Sequence, residues 1–162
     1  MKLLRILPEL LWFLGCGLSN AKAQNIPSWK VTDVRNYIDN SDSVLVVSFW
    51  ATFCKPCNEE IPYLESISAK YKDQKVKVLL VSLDLPDFFP AKIESFVKRS
   101  NYSSKVIWLN ETNADYFCPK IDKSWYGEIP CTYIVNAKKG YKKFIPTQMK
   151  PEQFEDELKK AL

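Results

Sequence analysis

The sequence predicts a single α/β domain in which parallel strands are crossed by helices and the chain closes with an antiparallel hairpin and a helix. Three short β-branched or aromatic runs, Val44–Trp50, Val76–Ser82 and Lys105–Leu109, are each followed by apolar residues at helical spacing. Residues 132–136 and Tyr141–Ile145 flank the turn sequence 137–140, which ends on Gly140. Of 162 residues, 46% are hydrophobic and 14% aromatic, enough for a packed core, while 26% charged is too few for a disordered chain.

Taken in order, residues 1–23 read as an address. Lys2 and Arg5 precede an apolar stretch centred on residues 10–14, and Ala21-Lys22-Ala23 supplies small residues for cleavage. This is the pattern of a secretory signal peptide, which leaves 24–162 as the folded domain. The apolar run is too short to span a bilayer, which takes roughly 20 residues. Leu14-Gly15-Cys16 offers a second reading, a lipoprotein site acylated at Cys16, and only then would the membrane be touched. A buried N-terminal helix is the third. Without the leader, 20 basic residues stand against 18 acidic ones, so charge names no partner and no nucleic acid is implied. Export would carry Cys54, Cys57, Cys118 and Cys131 to an oxidising compartment such as the periplasm or cell envelope.

Residues 33–40 form a short helix capped by Thr32, with Val34, Tyr37 and Ile38 on one face. The unbroken run Val44–Trp50 suits a strand buried on both faces. Residues 54–72 are helical through Ile61, Leu64, Ile67, Ser68 and Tyr71, with a kink expected at Pro62. Val76–Ser82 is a second buried strand, residues 84–90 a loop with two prolines, and residues 91–99 a helix facing inward through Ile93, Phe96 and Val97. Lys105–Leu109 is a third strand. Residues 113–125 read as one or two helical turns around Pro119. After the hairpin, Pro151 starts a helix with Phe154, Leu158 and Leu162 on one side.

The absence of histidine excludes Ser-His and Cys-His nucleophiles and His-ligated metals, which leaves sulfur as the unusual reactive group. Cys54-Lys55-Pro56-Cys57 follows a buried strand and opens a helix. The first sulfur then lies at a helix N-terminus, where free N–H groups and the dipole favour the thiolate; Lys55 adds positive charge. The second sulfur, one turn on, can close a disulfide with the first. Pro56 restricts the loop and leaves the helix start intact. Thiolate attack on a substrate disulfide gives a mixed disulfide that Cys57 resolves, a reaction that calls for no cofactor. The competing reading is half of a zinc site, but Cys118 and Cys131 are too far apart in sequence to form a second knuckle, so no metal is assigned.

Trp50-Ala51-Thr52-Phe53-Cys54-Lys55-Pro56-Cys57-Asn58-Glu59-Glu60-Ile61-Pro62 resembles the active-site segment of thioredoxin-fold proteins, and in particular of exported TlpA-like thiol-disulfide reductases. Ile129-Pro130-Cys131-Thr132 matches the second hallmark, a cis-proline beside the cysteines. Residues 121–127 resemble a Bacteroidetes-type subgroup. The resemblance implies a thioredoxin fold: a central mixed sheet flanked by helices, with an N-terminal helix extension and a C-terminal hairpin plus helix.

It also implies roles. Cys54 resembles the nucleophile, Cys57 the resolving cysteine, and Pro130 the residue that keeps a backbone N–H from blocking the sulfurs. The backbone of Ile129 would pair with an extended substrate segment. Trp50, Phe53, Lys55 and Pro56 would complete the substrate-binding surface. Glu60 matches the glutamate of the TlpA-like branch and is either a proton-handling group or a solvated first-turn carboxylate. Ser48 stands where thioredoxin has a buried aspartate, so that carboxylate base is missing.

Cys118 and Cys131 remain open between buried free thiols, a structural disulfide, and a third redox thiol at Cys131. Phe88, Phe89 and Trp108 are expected in the core, with Phe88-Phe89 also placed to line a partner groove. The function implied is an exported, monomeric dithiol-disulfide oxidoreductase that acts as a reductase on protein disulfides and is recharged by a membrane electron-donor thiol protein. The alternatives are a peroxiredoxin-like peroxidase and a non-enzymatic binding module. The first lacks its Thr three residues before the cysteine, where Ala51 stands, and the second would be expected to have lost a cysteine or the proline.

Overall fold

The structure is a computed structural model and is described for residues 25–162. The proposed leader and Cys16 lie outside the described residues. The elements are β1 (Ser28–Trp29), α1 (Val31–Asp39), β2 (Val44–Trp50), α2 (Lys55–Lys70), β3 (Val76–Ser82), α3 (Ala91–Ser100), β4 (Lys105–Leu109), α4 (Ala114–Ile121), β5 (Cys131–Asn136), β6 (Tyr141–Ile145) and α5 (Pro151–Ala161). One mixed sheet runs in the order β1-β4-β3-β2-β5-β6. β2, β3, β4 and β1 are mutually parallel, whereas β5 runs antiparallel to β2 and to β6.

Every residue of β2 is buried, as a central strand with helices on both faces requires. Its side chains alternate between two layers. Leu45, Val47 and Phe49 pack with α1 and α4 residues such as Val34, Ile38, Phe117 and Ile121. Val46 and Trp50 face the other way. Trp50 packs with Ile61, Ile93 and Val97 of α2 and α3, and Val46 with Leu64, Phe154 and Leu158 of α2 and α5.

Several sequence expectations change. Thr32 caps no helix; α1 starts at Val31, and the Lys30 N–H donates instead to Asp33 at 2.8 Å. β1 was not expected. It is two residues long and forms by pairing with Trp108 and Leu109 of β4. In line with expectation, α2 runs on through Pro62, and the helical turns around Pro119 form the single helix of residues 114–121. Tyr71 and Phe96 are half-buried rather than fully inward. The hairpin forms as expected, with Gly140 at φ 66°, where a side chain would be strained.

Candidate active site

The loop that leaves β2 delivers Cys54 to the N-cap of α2. Cys54 and Cys57 are joined, with S–S 1.99 Å and Cα–Cα 5.3 Å, and Cys54 Sγ accepts the Cys57 backbone N–H at 3.3 Å. The outer sulfur thus caps the helix, taking one of the otherwise unpaired N–H groups of its first turn. Cys54 retains 7% exposure and Cys57 none, so the outer sulfur is the accessible one.

A carboxylate that sequence reasoning missed holds this loop in place. Asp84, just beyond the end of β3 and buried, accepts the Thr52 N–H at 3.1 Å, the Thr52 hydroxyl at 2.6 Å and the Ser82 hydroxyl at 2.7 Å. The Asp84 carbonyl accepts the Trp108 indole N–H at 2.8 Å. Thr52 in turn accepts from the Asn58 amide at 3.1 Å, and Asn58 accepts from the Tyr102 hydroxyl at 3.2 Å. The segment before the cysteines is therefore tied to β3, β4 and α2 at once. A signal was present: Ser82 and Asp84 are polar residues at the end of a buried apolar strand.

Glu60 is not a solvated helix carboxylate. It is fully buried, one turn past Cys57 on the inward face of α2, and Oε1 accepts the Met149 N–H at 3.2 Å. Burial pushes its pKa up from 4.5 to about 7, with the Met149 N–H acting in the opposite direction. Oε2 has no hydrogen-bond partner among the described residues, nor have the hydroxyls of Ser48 and Thr132. Ser48 and Thr132 are direct neighbours across the β2–β5 pair. By strand alternation they share the α2 layer with Val46 and Ile134, so three unpartnered polar groups line the interior below Cys57.

The other named residues divide by exposure. The Ile129–Pro130 bond is cis, with Pro130 buried and Ile129 half-buried against two of the core clusters. Phe53 is 65% exposed, and Lys55 and Pro56 are also on the surface. Lys55 Nζ lies 3.9 Å from Glu59, and the Pro56 carbonyl accepts from the Gln148 amide at 3.2 Å. Trp50 does not reach the surface. It is fully buried against Tyr102 and Phe96, so its part is to support the loop rather than touch substrate.

Cys118 and Cys131 are buried free thiols in the layer beneath α1 and α4, on the sheet face opposite Cys57. Burial raises the Cys118 thiol to about 11 and pushes Cys131 well above the usual thiol range, with Glu128 adding to both. Both shifts favour the protonated thiol. Phe89 stacks on Trp108 with ring centroids 4.3 Å apart, whereas Phe88 is half-buried under Lys92. Among the described residues, no group of three or more Cys, Asp or Glu side chains is placed to hold a metal ion, and no helix is long and apolar enough to cross a membrane.

Comparison with known proteins places the chain in a family and a fold. Residues 19–140 match the family model described as AhpC/TSA family. The thiol-disulfide oxidoreductase ResA of Geobacillus kaustophilus is 24% identical over 142 residues, covering 85% of this chain and 76% of the relative. ResA of Bacillus thuringiensis subsp. konkukian is 28% identical over 145 residues, covering 83% and 75%. The crystal structure of a thioredoxin-related protein from Neisseria meningitidis serogroup B superposes with TM-score 0.63 at 26% identity, over 75% of this chain and 86% of that one. The fold is the thioredoxin fold.

Proposed function

The chain belongs to the AhpC/TSA family and is a thiol-disulfide oxidoreductase of the thioredoxin fold; from that premise we propose that it is an exported reductase of protein disulfides. The observation that carries the dithiol-disulfide exchange within this proposal is the Cys54–Cys57 disulfide at the start of α2 with the Glu60 carboxyl buried one turn behind it.

In the reduced protein, the Cys54 thiolate attacks one sulfur of a substrate disulfide. That S–S bond breaks, a bond from Cys54 to the substrate forms, and the first substrate thiolate leaves. Cys57 then gives up its proton and attacks Cys54 Sγ. The second substrate thiolate leaves, the substrate has gained two electrons, and the protein holds the Cys54–Cys57 disulfide. Glu60 is the proton acceptor best matched to Cys57: it is close along the helix, shielded from water, and has a pKa near neutrality. A membrane electron-donor thiol protein would return the two electrons. Export after removal of residues 1–23, to the periplasm or cell envelope, rests on the leader pattern. The reductase direction rests on the resemblance of residues 50–62 to TlpA-like proteins.

Peroxide chemistry fits less well. Ala51 stands where a peroxidatic site has threonine, and the Thr52 hydroxyl is committed to Asp84.

Equilibration of the pair against defined thiol buffers tests the direction. A potential near that of thioredoxin, roughly −270 mV, supports a reductase, and one near −120 mV overturns it in favour of an oxidant. Cys57→Ser should accumulate the mixed disulfide and Cys54→Ser should form none.

A further inference from the structure

We propose that a basic-aromatic groove beside the redox pair selects substrate segments carrying an acidic residue near the target cysteine. This rests on the oxidoreductase reading above and adds to it a class of substrate. The groove has a volume of about 380 Å³ and is lined by Thr52, Phe88, Lys92, Ser95, Phe96 and Arg99, together with Ala91.

Its chemistry is one-sided. No acidic side chain lines it. Lys92 Nζ lies 4.2 Å from the centroid of the Phe88 ring, and the Arg99 guanidinium lies 5.3 Å from that of Phe96. The rings thus hold both cations at the groove. Neither cation takes a carboxylate partner in an ion pair among the described residues. A carboxylate entering there would meet two unpaired positive charges over an apolar floor.

Its position follows from the sheet order. β5 and β3 flank β2 on opposite sides, and the parallel and antiparallel senses bring the ends bearing Cys54, Asp84 and Pro130 to the same edge. Pro130 therefore approaches the Cys54 loop from one side, and the groove, reached through Thr52 and α3, from the other. A substrate cysteine at Cys54 with its chain passing Ile129 continues on the far side toward the groove. Exposed Phe53 and Leu85, at 65% and 63%, give that path an apolar surface. Neighbouring strands are about 4.8 Å apart and an extended chain advances about 3.4 Å per residue. Allowing for the climb from sheet to helix, the acidic residue falls roughly three positions from the cysteine.

The test uses the reduced full chain and synthetic peptides with one cysteine, activated as a mixed disulfide with a coloured aromatic thiol. Glu, Gln or Lys is placed three residues before or after the cysteine. Release of the coloured thiol gives the rate of attack. The Glu peptide of one of the two series should react about fivefold faster than its Lys counterpart, as two exposed charge pairs allow. The ratio should fall toward one at high salt. In Lys92→Glu/Arg99→Glu the ratio should invert; because it is a ratio within one protein, general damage to the variant cancels. Equal rates in the wild-type protein, or a preference that survives the charge reversal, overturn the groove and leave the oxidoreductase reading intact. A wild-type protein that attacks none of the peptides overturns that reading and this inference with it.

Discussion

Ser48 faces Thr132 across the antiparallel β2–β5 pair, and neither hydroxyl has a hydrogen-bond partner among the described residues. In a buried layer such groups are costly, and they make the interior below Cys57 more polar than its apolar neighbours suggest. Glu60 is the titratable member of that layer, and two predictions concern it.

The first is thermodynamic. With a folded pKa near 7 against an ordinary 4.5, the folded chain holds the Glu60 proton more tightly than the unfolded chain does. Its contribution to stability is therefore full at low pH and is lost as pH climbs from about 4.5 through about 7. Glu60→Gln removes this titration. Relative to wild type, the variant should gain on the order of 3 kcal/mol between about pH 4 and about pH 8. Urea unfolding of both proteins across that range checks the sign and size.

The second is kinetic. Loss of the proton acceptor should slow the attack of Cys57 on the mixed disulfide by about a hundredfold at neutral pH. The inflection near pH 7 should vanish from the rate profile. Rapid-quench measurement of the mixed disulfide in Glu60→Gln reads both effects, and an unchanged profile would remove Glu60 from the mechanism.

Asp84 is predicted to matter for the loop rather than for the chemistry. Asp84→Ala leaves the Thr52 N–H, the Thr52 hydroxyl and the Ser82 hydroxyl without their acceptor. Stability should fall by about 3 kcal/mol, and Thr52→Val should cost only about 1 kcal/mol. Hydrogen exchange at the Thr52 amide should accelerate in Asp84→Ala while the amides of β2 stay protected.

The four cysteines of the described chain should separate by reactivity. A brief treatment of the reduced, folded protein with iodoacetamide should modify Cys54 first and leave Cys118 and Cys131 untouched, because both thiols are buried and held protonated. Denaturant should release all four. Peptide mass mapping distinguishes this from a redox role for Cys131, which would label it in the native state.

What was legible in the sequence was what depends on near neighbours. The apolar run of β2, the helix opened by the C-x-x-C pair and the hairpin around Gly140 follow from local pattern, and the redox pair follows from its place between a strand and a helix. Glu60 was half legible: its spacing from Cys57 and Leu64 puts it on the inward face, but first-turn carboxylates are ordinarily solvated. Asp84 stood out as a polar residue at the end of a buried apolar strand, but its role as the loop anchor was not legible, because its partner Thr52 is 32 residues away. Nor was β1, which is a strand only through its contact with β4. For Trp50 the two readings diverge: the family resemblance puts it at the substrate surface, whereas the buried pattern of β2 puts it inside, where the structure has it.

The two rims of the sheet bear on how the protein behaves when crowded. Beyond β4, the rim among the described residues is the two-residue β1, too short to template a further strand. At the opposite rim, β6 presents exposed Lys142 and Lys143, whose like charges oppose the approach of a second copy. Short length at one rim and like charges at the other both weigh against edge-to-edge pairing of the described sheet, while Phe53 and Leu85 stay exposed elsewhere.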